Sequence, residues 1–420
     1  MSELPATVAM QKSLEALALK LATEPRVLAA KAAARRAFLD HPNAKTRDGA
    51  ASLEDAAEQH FFGALQLAVN LDPHRPKLQS LFLYEHATDG QVFPSSLHGG
   101  IENPDNVYRA IPVSHERRYV LHGRRHSPPP AQVTFELMDS IPGLDSIGHQ
   151  IAMLKDRDMV VAADGSYQIT LDADAADGRA NHIQLTSAAR CLFVRDSMAD
   201  WRLQQPDSLH IEVLPGEAPP PASYEQLVET AAWLAPHYAK FWQDLRDHYV
   251  VHMDVKTNQL DAPFMRPGGW QFISNAHYDL GEDEAFVFTT RPMGAPYHAA
   301  LVANHWWITA DAAHHTGSFN AAQAEANADG SITFVVAARD PGVHNWLDTG
   351  GVHTGILQAR WQGLPSEVTT LEAGIVDFQV ARLSDLKSLL PPETRWLTPA
   401  ERDAQRAARL AAYQLRLSQG

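Results

Sequence analysis

A chain of 420 residues is longer than one hydrophobic core usually supports, so two domains are expected. Its 35 basic and 50 acidic residues leave a net charge of −15 with histidine neutral, which disfavours nucleic acid and anionic membranes as partners. The single cysteine, Cys191, rules out an intrachain disulfide and a cysteine-built metal cluster; with no apolar signal-peptide core and no membrane-length apolar run, the expected address is the cytoplasm.

Residues 7 to 40 carry Leu14, Leu17, Leu21 and Leu28 at spacings of three, four and seven, which predicts amphipathic helix. A second helix is predicted in SLEDAAEQHFFGALQLAVNL, with Ser52 as its cap and Asp55 in an acidic first turn, so 1–80 reads as a helical N-terminal region. From about residue 80 the texture changes to short β-rich runs: LQSLFLYEH, RYVLHGRR, QVTFELMDS, MVVAADGSYQITLD, HIQLTSAARCLFVRDSM and SLHIEVL. Their spacing predicts a first β-sandwich or jelly-roll-like domain over 81–215.

The proline-dense PGEAPPPASYEQ suits neither a helix interior nor a central strand, and opens a linker and helical bridge over 216–262. That bridge places Tyr224, Leu227, Ala231, Leu234, Tyr238 and Phe241 on one face and contains Pro236, expected to kink it or end a turn. A second β-sandwich domain is predicted over 263–390, where ADGSITFVVAARD repeats the design of ADGSYQITLDAD, a likeness of architecture short of proof of duplication. Thr398, Pro399 and Glu401 announce a C-terminal helix within 391–420. The fold class is therefore mainly β with helical additions (α+β), built on two β-sandwich or jelly-roll-like domains.

Histidine is the compositional outlier, at 21 residues, and it clusters in the second β region. NAHYDL places His277 on one strand face with Asn275 and Asp279; YHAALVANHWW ends in His305, Trp306 and Trp307, a pattern suited to the wall of an apolar pocket with a polar end. His277, His305, His314, His315 and His353 with Asp348 or Asp279 could hold zinc or iron, but neither HExxH nor HxH is present. No cofactor is therefore expected, with a His/Asp-bound metal ion as the minority alternative. No GxSxG, strand-borne GxGxxG or GxxxxGK[ST] occurs either.

Two constellations could carry chemistry. In NPDNVYR, Asn103, Asp105 and Asn106 suit a turn, after which Tyr108 and Arg109 project to opposite strand faces. Tyr108 could donate a proton and Arg109 clamp an oxyanion or carboxylate; equally, the polar residues could only form the turn and Arg109 a structural ion pair. In DPGVHNWLDTGGVHTG, Asn345 can offer an amide, Asp348 can act as base and His353 follows five residues on, while the alternative is a rigid turn anchored by Trp346.

GGIENPDNVYRAIPV (99–113), RDSMADWRLQQPDSLHIEVL (195–214) and the long segment around DPGVHNWLDTGG (316–363) resemble family 1214 of the domains of unknown function. No companion domain of the 1254 type is recognised beside it. The resemblance implies sandwich or jelly-roll domains with helical additions, and a bacterial setting among genes for steroid, terpenoid or aromatic catabolism. The expected function is cofactor-independent acid–base chemistry, of lyase, hydratase or hydrolase type, on a small hydrophobic metabolite. Asp348, His353, Tyr108 and Arg109 would be catalytic; Asn103, Asn106, His277, His305, Asn345 and Trp346 would bind substrate. The alternatives are a non-catalytic binding protein for a sugar or hydrophobic metabolite and a metal-dependent hydrolase or oxygenase. A small-molecule ligand is the expected partner, and homo-oligomerisation is left open.

Overall fold

The N-terminal alanine- and leucine-rich segments fold as α1 (Ala6–Ala22), α2 (Pro25–Asp40), α3 (Arg47–Ala51) and α4 (Leu53–Ala68), in a computed structural model describing residues 6–97, 99–144, 148–252, 255–266 and 268–419. Helix α4 starts where expected, but Ser52 does not cap it: its hydroxyl donates to the Asp48 carbonyl at 2.7 Å. Phe61, Phe62 and Leu65 of α4 are buried in an apolar cluster that also takes in α1, α2 and the long helix described below.

The first β region contains β1 (Gln79–Leu81), β2 (His86–Thr88), β3 (Gln91–Phe93), β4 (Asn106–Pro112), β5 (Tyr119–Arg124), β6 (Gln132–Met138), β7 (Gln150–Lys155), β8 (Ser166–Asp172), β9 (His182–Gln184), β10 (Cys191–Ser197) and β11 (Ser208–Val213). Strands β2 and β3 form a separate hairpin whose Asp89 and Gly90 both have positive φ, as a two-residue turn requires. The others make two sheets, β1-β4-β10-β6-β7 and β11-β5-β8-β9. Alternation sends Ile111, Phe135, Leu137, Leu192 and Val194 of one sheet against Leu121, Ile169 and Leu171 of the other. Cys191, on the outer face of β10, is fully buried, which pushes its thiol up to about 12.

Residues 214–223 lack regular structure, and α5 (Tyr224–His252) follows. Pro236 does not end it; the helix runs on for sixteen residues, its apolar face packed on α2 and α4. Then come β12 (Phe264–Met265), β13 (Gln271–Asp279), β14 (Glu284–Thr290), β15 (Tyr297–Ala303), β16 (Ser318–Asn320), β17 (Ile332–Ala337), β18 (Trp346–Asp348), β19 (Thr354–Gln362), β20 (Ile375–Arg382), α6 (Leu386–Leu389) and α7 (Pro399–Gln419). Thr398 caps α7 reciprocally: its N–H donates to Glu401 Oε2 at 2.8 Å and its hydroxyl accepts the Glu401 N–H.

The second pair of sheets repeats the first strand for strand. Its orders are β12-β13-β19-β15-β16 and β18-β17-β14-β20, matching β1-β4-β10-β6-β7 and β9-β8-β5-β11. Even the parallel pairings correspond, β8 with β9 and β17 with β18, in an otherwise antiparallel fold. The two ADGS turns precede the equivalent strands β8 and β17. Register extends the equivalence to single residues: Asn106, Ser197 and Gln132 line up across the end of the first sheet as Gln271, Gln362 and Tyr297 do across the second.

Those ends meet. Ser197 Oγ donates to Gln362 Oε1 at 2.7 Å, so the two sandwiches join through the polar ends of equivalent outer faces.

Within the second sandwich His298 is fully buried, stacked on Trp361 at 4.8 Å. Its Nδ1–H donates to the Arg360 carbonyl at 2.9 Å, leaving Nε2 to accept the Thr290 hydroxyl at 2.8 Å. Burial lowers its pKa from 6.5 to about 4, and the carbonyl contact only partly offsets this. A depressed histidine costs no stability above its unfolded value and removes stability as pH falls toward the folded one. His298→Phe should start less stable at pH 7 yet lose less between pH 7 and 4, by on the order of 3 kcal/mol in urea midpoints converted to free energy. An unchanged pH slope would contradict this assignment.

Candidate functional site

The segment GGIENPDN bridges the two sandwiches under strain. Gly99 is at φ +73°, and a Cβ there would lie 2.3 Å from the Trp306 carbonyl oxygen. Ile101 is at φ +55°, a region that costs a β-branched residue about 1–2 kcal/mol. It is held there at both ends: its N–H donates to the Trp307 carbonyl at 3.0 Å, and its carbonyl accepts Arg360 Nη2 at 2.5 Å.

The next residues lock to four partners. Asn103 N–H donates to the Tyr108 hydroxyl at 2.9 Å, and Asn103 Nδ2 to the Tyr297 hydroxyl at 2.8 Å. Asp105 is fully buried and accepts the Tyr297 hydroxyl at 2.5 Å and Trp201 Nε1 at 2.8 Å. Burial raises the Asp105 carboxyl, while the Tyr297 hydroxyl and the charge of Arg409 act against that. Arg416 of α7 closes the far side by donating to the Pro104 carbonyl at 2.6 Å.

Against this segment lies a cavity enclosing about 50 Å³, bounded by α1, β1, β2, residues 102–107 and α7. That is room for a few waters or a small organic group. Val8, Phe82, Leu83, Val107 and Leu417 make it apolar; His86, Glu102, Asn103, Asn106 and Arg416 supply its polar side. Asn106 is 6% exposed, and its Nδ2 donor has no partner among the described residues. His86 sits between two acceptors, the Tyr84 carbonyl at 2.9 Å and Glu15 Oε2 at 3.3 Å. Burial disfavours its charge, but the hydrogen bond and charge of Glu15 prevail and raise its pKa, favouring the charged form.

Of the residues expected to act, Asn103 and Asn106 line this cavity and Tyr108 stands directly behind Asn103. Arg109 does not join them. It points into the first sandwich, where it pairs with Asp196 and donates to the Asp207 carbonyl at 3.2 Å. The alternation of β4 that places Tyr108 on the outer face requires this, and the ion-pair reading of Arg109 is the one realised.

Asp348 and His353 form no pair. Gly350 and Gly351, both at positive φ, turn the chain between them. Asp348 meets His315 at 2.9 Å and Arg406 at 3.1 Å; His315 holds its proton more tightly as a result. His353 instead lies at the end of β13 and β19 near Asp48 and Glu282. Asp48 accepts the backbone N–H groups of His353 and Thr354 at 2.7 and 2.9 Å and the Thr354 hydroxyl at 3.0 Å, docking α3 onto the second sandwich. His305 Nε2 touches the same hydroxyl; burial lowers the pKa of both His305 and His277, and the charge of His277 lowers that of His305 further. No group of three or more metal-ligating side chains is gathered among the described residues.

Asn345 and Trp346 are structural. Asn345 brackets Glu325, donating to its carbonyl and accepting its N–H, both at 2.8 Å; Asn181 brackets Val160 in the same way just ahead of β9, the strand equivalent to β18. Trp346 Nε1 donates to the Ala337 carbonyl at 2.9 Å, and Arg402 and Arg406 cover its ring. Segments 103–109 and 345–353 therefore do not line one cavity. Asp105, Arg195, Tyr297 and Arg360 were missed as site residues. The available signal was an arginine following an apolar stretch in each of two strands, CLFVRDS and ILQARWQ.

Among solved structures, the chain is similar to an uncharacterized protein from Burkholderia cenocepacia, at 24% identity and a TM-score of 0.68 over 88% of this chain and 100% of that one. That likeness shows the fold. A Vibrio parahaemolyticus protein is 10% identical with a TM-score of 0.40, covering 67% of this chain and 90% of that one. No protein-family model and no curated protein matches the chain. No helix among the described residues is long and apolar enough to cross a membrane.

Because Asn345 satisfies three backbone groups, Asn345→Ala should cost about 1–3 kcal/mol in chemical unfolding while leaving ligand affinity at the cavity unchanged. Unchanged stability with weakened binding would return Asn345 to the site.

Proposed function

We propose that the cavity beside residues 102–107 binds a small, largely apolar metabolite through one oxygen, and that the chain performs cofactor-independent acid–base chemistry on it, of lyase, hydratase or hydrolase type. The observation that carries this is Asn106 Nδ2, a buried donor without a partner among the described residues, on the wall of a mostly apolar cavity. Glu102, 4% exposed, is the carboxylate on that wall able to take a proton, and His86, whose charged form Glu15 favours, lines the same cavity. We read the chain as a member of family 1214 acting in the cytoplasm; of the steroid, terpenoid or aromatic compounds that resemblance implies, a cavity of about 50 Å³ would take only a small oxygen-bearing end.

Binding without turnover is the second reading. It is favoured by His86, whose nitrogens are both engaged by protein acceptors and so do not face the ligand.

A panel of steroid, terpenoid and aromatic compounds should yield at least one that binds saturably. Asn106→Leu should weaken it about tenfold or more, the value of one buried hydrogen bond. Glu102→Gln should abolish product formation, followed by chromatography, while leaving affinity within a few-fold. Binding unaffected by Asn106→Leu would contradict the site; binding without product in the wild type would select the second reading.

A further inference from the structure

The equivalence of the two sandwiches exposes an asymmetry in charge. Arg195 on β10 and Arg360 on β19 occupy the same register position, each two residues before the strand ends that meet at Ser197 and Gln362. Both project from the outer faces. Arg195 is paired with Glu136 of β6, which Thr134 also holds, at 3.1 Å. The position equivalent to Glu136 on β15 is Leu301.

Arg360 thus has no internal carboxylate among the described residues. It is 5% exposed; Nη2 donates to the Ile101 carbonyl and the guanidinium also hydrogen-bonds the Tyr108 hydroxyl, while Nε has no partner among the described residues. Burial pushes Arg360 below the ordinary arginine value, and the groups acting against that are the phenols of Tyr108 and Tyr297. Removing a charge from water without a counter-charge costs several kcal/mol. Nearby, the charges of Arg266 and Arg360 both act on Arg195, whose guanidinium lies over the Phe193 and Trp270 rings at 4.5 and 5.0 Å. Arg195 keeps 18% of its side chain exposed, so solvent reaches this cluster. In a chain with net charge −15, positive charge converges here beside aromatic rings.

We propose that the junction where the two outer sheet faces meet binds a small organic carboxylate, which pairs with Arg360 as Glu136 pairs with Arg195. The fork of a guanidinium matches the two oxygens of a carboxylate, and the neighbouring rings suit an apolar or aromatic body. This site is separate from the cavity, whose lining includes neither arginine, and stands independently of the function proposed for it.

The test uses the full-length protein with benzoate, the neutral isostere benzamide and inorganic phosphate, read by calorimetry. Benzoate should bind saturably, with benzamide and phosphate at least about tenfold weaker, as expected for loss of a charge-assisted pair. Arg360→Gln should weaken benzoate about tenfold or more. Leu301→Glu provides the second variant: it places a carboxylate at the position equivalent to Glu136 and should abolish benzoate binding in a folded protein. Equal affinity for benzamide or phosphate, absence of saturable benzoate binding, or full benzoate affinity in Leu301→Glu would each overturn the proposal. Because the first comparison needs only wild-type protein, failure of either variant to fold does not protect it.

Discussion

The structure depends on how two equivalent sheet faces are desolvated against each other. Each face ends in polar side chains, and burying these is tolerable only where hydrogen bonds replace water. Ser197 with Gln362 makes the direct contact, while the 99–106 segment completes it by threading Asn103 and Asp105 onto Tyr297 and the Ile101 carbonyl onto Arg360. The strained φ of Ile101 is a local cost of placing these groups, offset by the bonds they make. Helix α7 closes the same junction from outside: Arg416 reaches Pro104, and the charges of Arg409 and Arg416 face the Asp105 carboxylate.

Architecture was legible in the sequence because it rests on local signals. Period-two alternation, proline density and the Thr398–Glu401 capping pair each report on a few consecutive residues. The two ADGS turns pointed to a repeat, and strand order with register shows that the likeness extends through both sandwiches. Pro236 does not end α5 because the packed face of α5 on α2 and α4 outweighs one lost backbone bond.

The site was legible only in part. Alternation put Tyr108 and Arg109 on opposite faces, but which face is the sandwich interior depends on the distant Asp196. Proximity in sequence suggested that Asp348 would tune His353; two positive-φ glycines send them instead to α7 and α3, whose partners Arg406 and Asp48 lie far away in the chain. The DPGVHNWLDTGG segment thus became a frame for β17 and β18. Arg195 and Arg360 gain meaning only when the two strands are superposed, since one has Glu136 and the other Leu301.

A crystal structure of the protein grown with para-bromobenzoate tests the reading of that asymmetry most directly, because anomalous scattering locates the bromine independently of the surrounding density. The account predicts a single strong peak between the two sandwiches, with the carboxylate in hydrogen-bond contact with Arg360 and the ring toward Phe193 and Trp270. A carboxylate bound elsewhere, making no contact with Arg360, would contradict it.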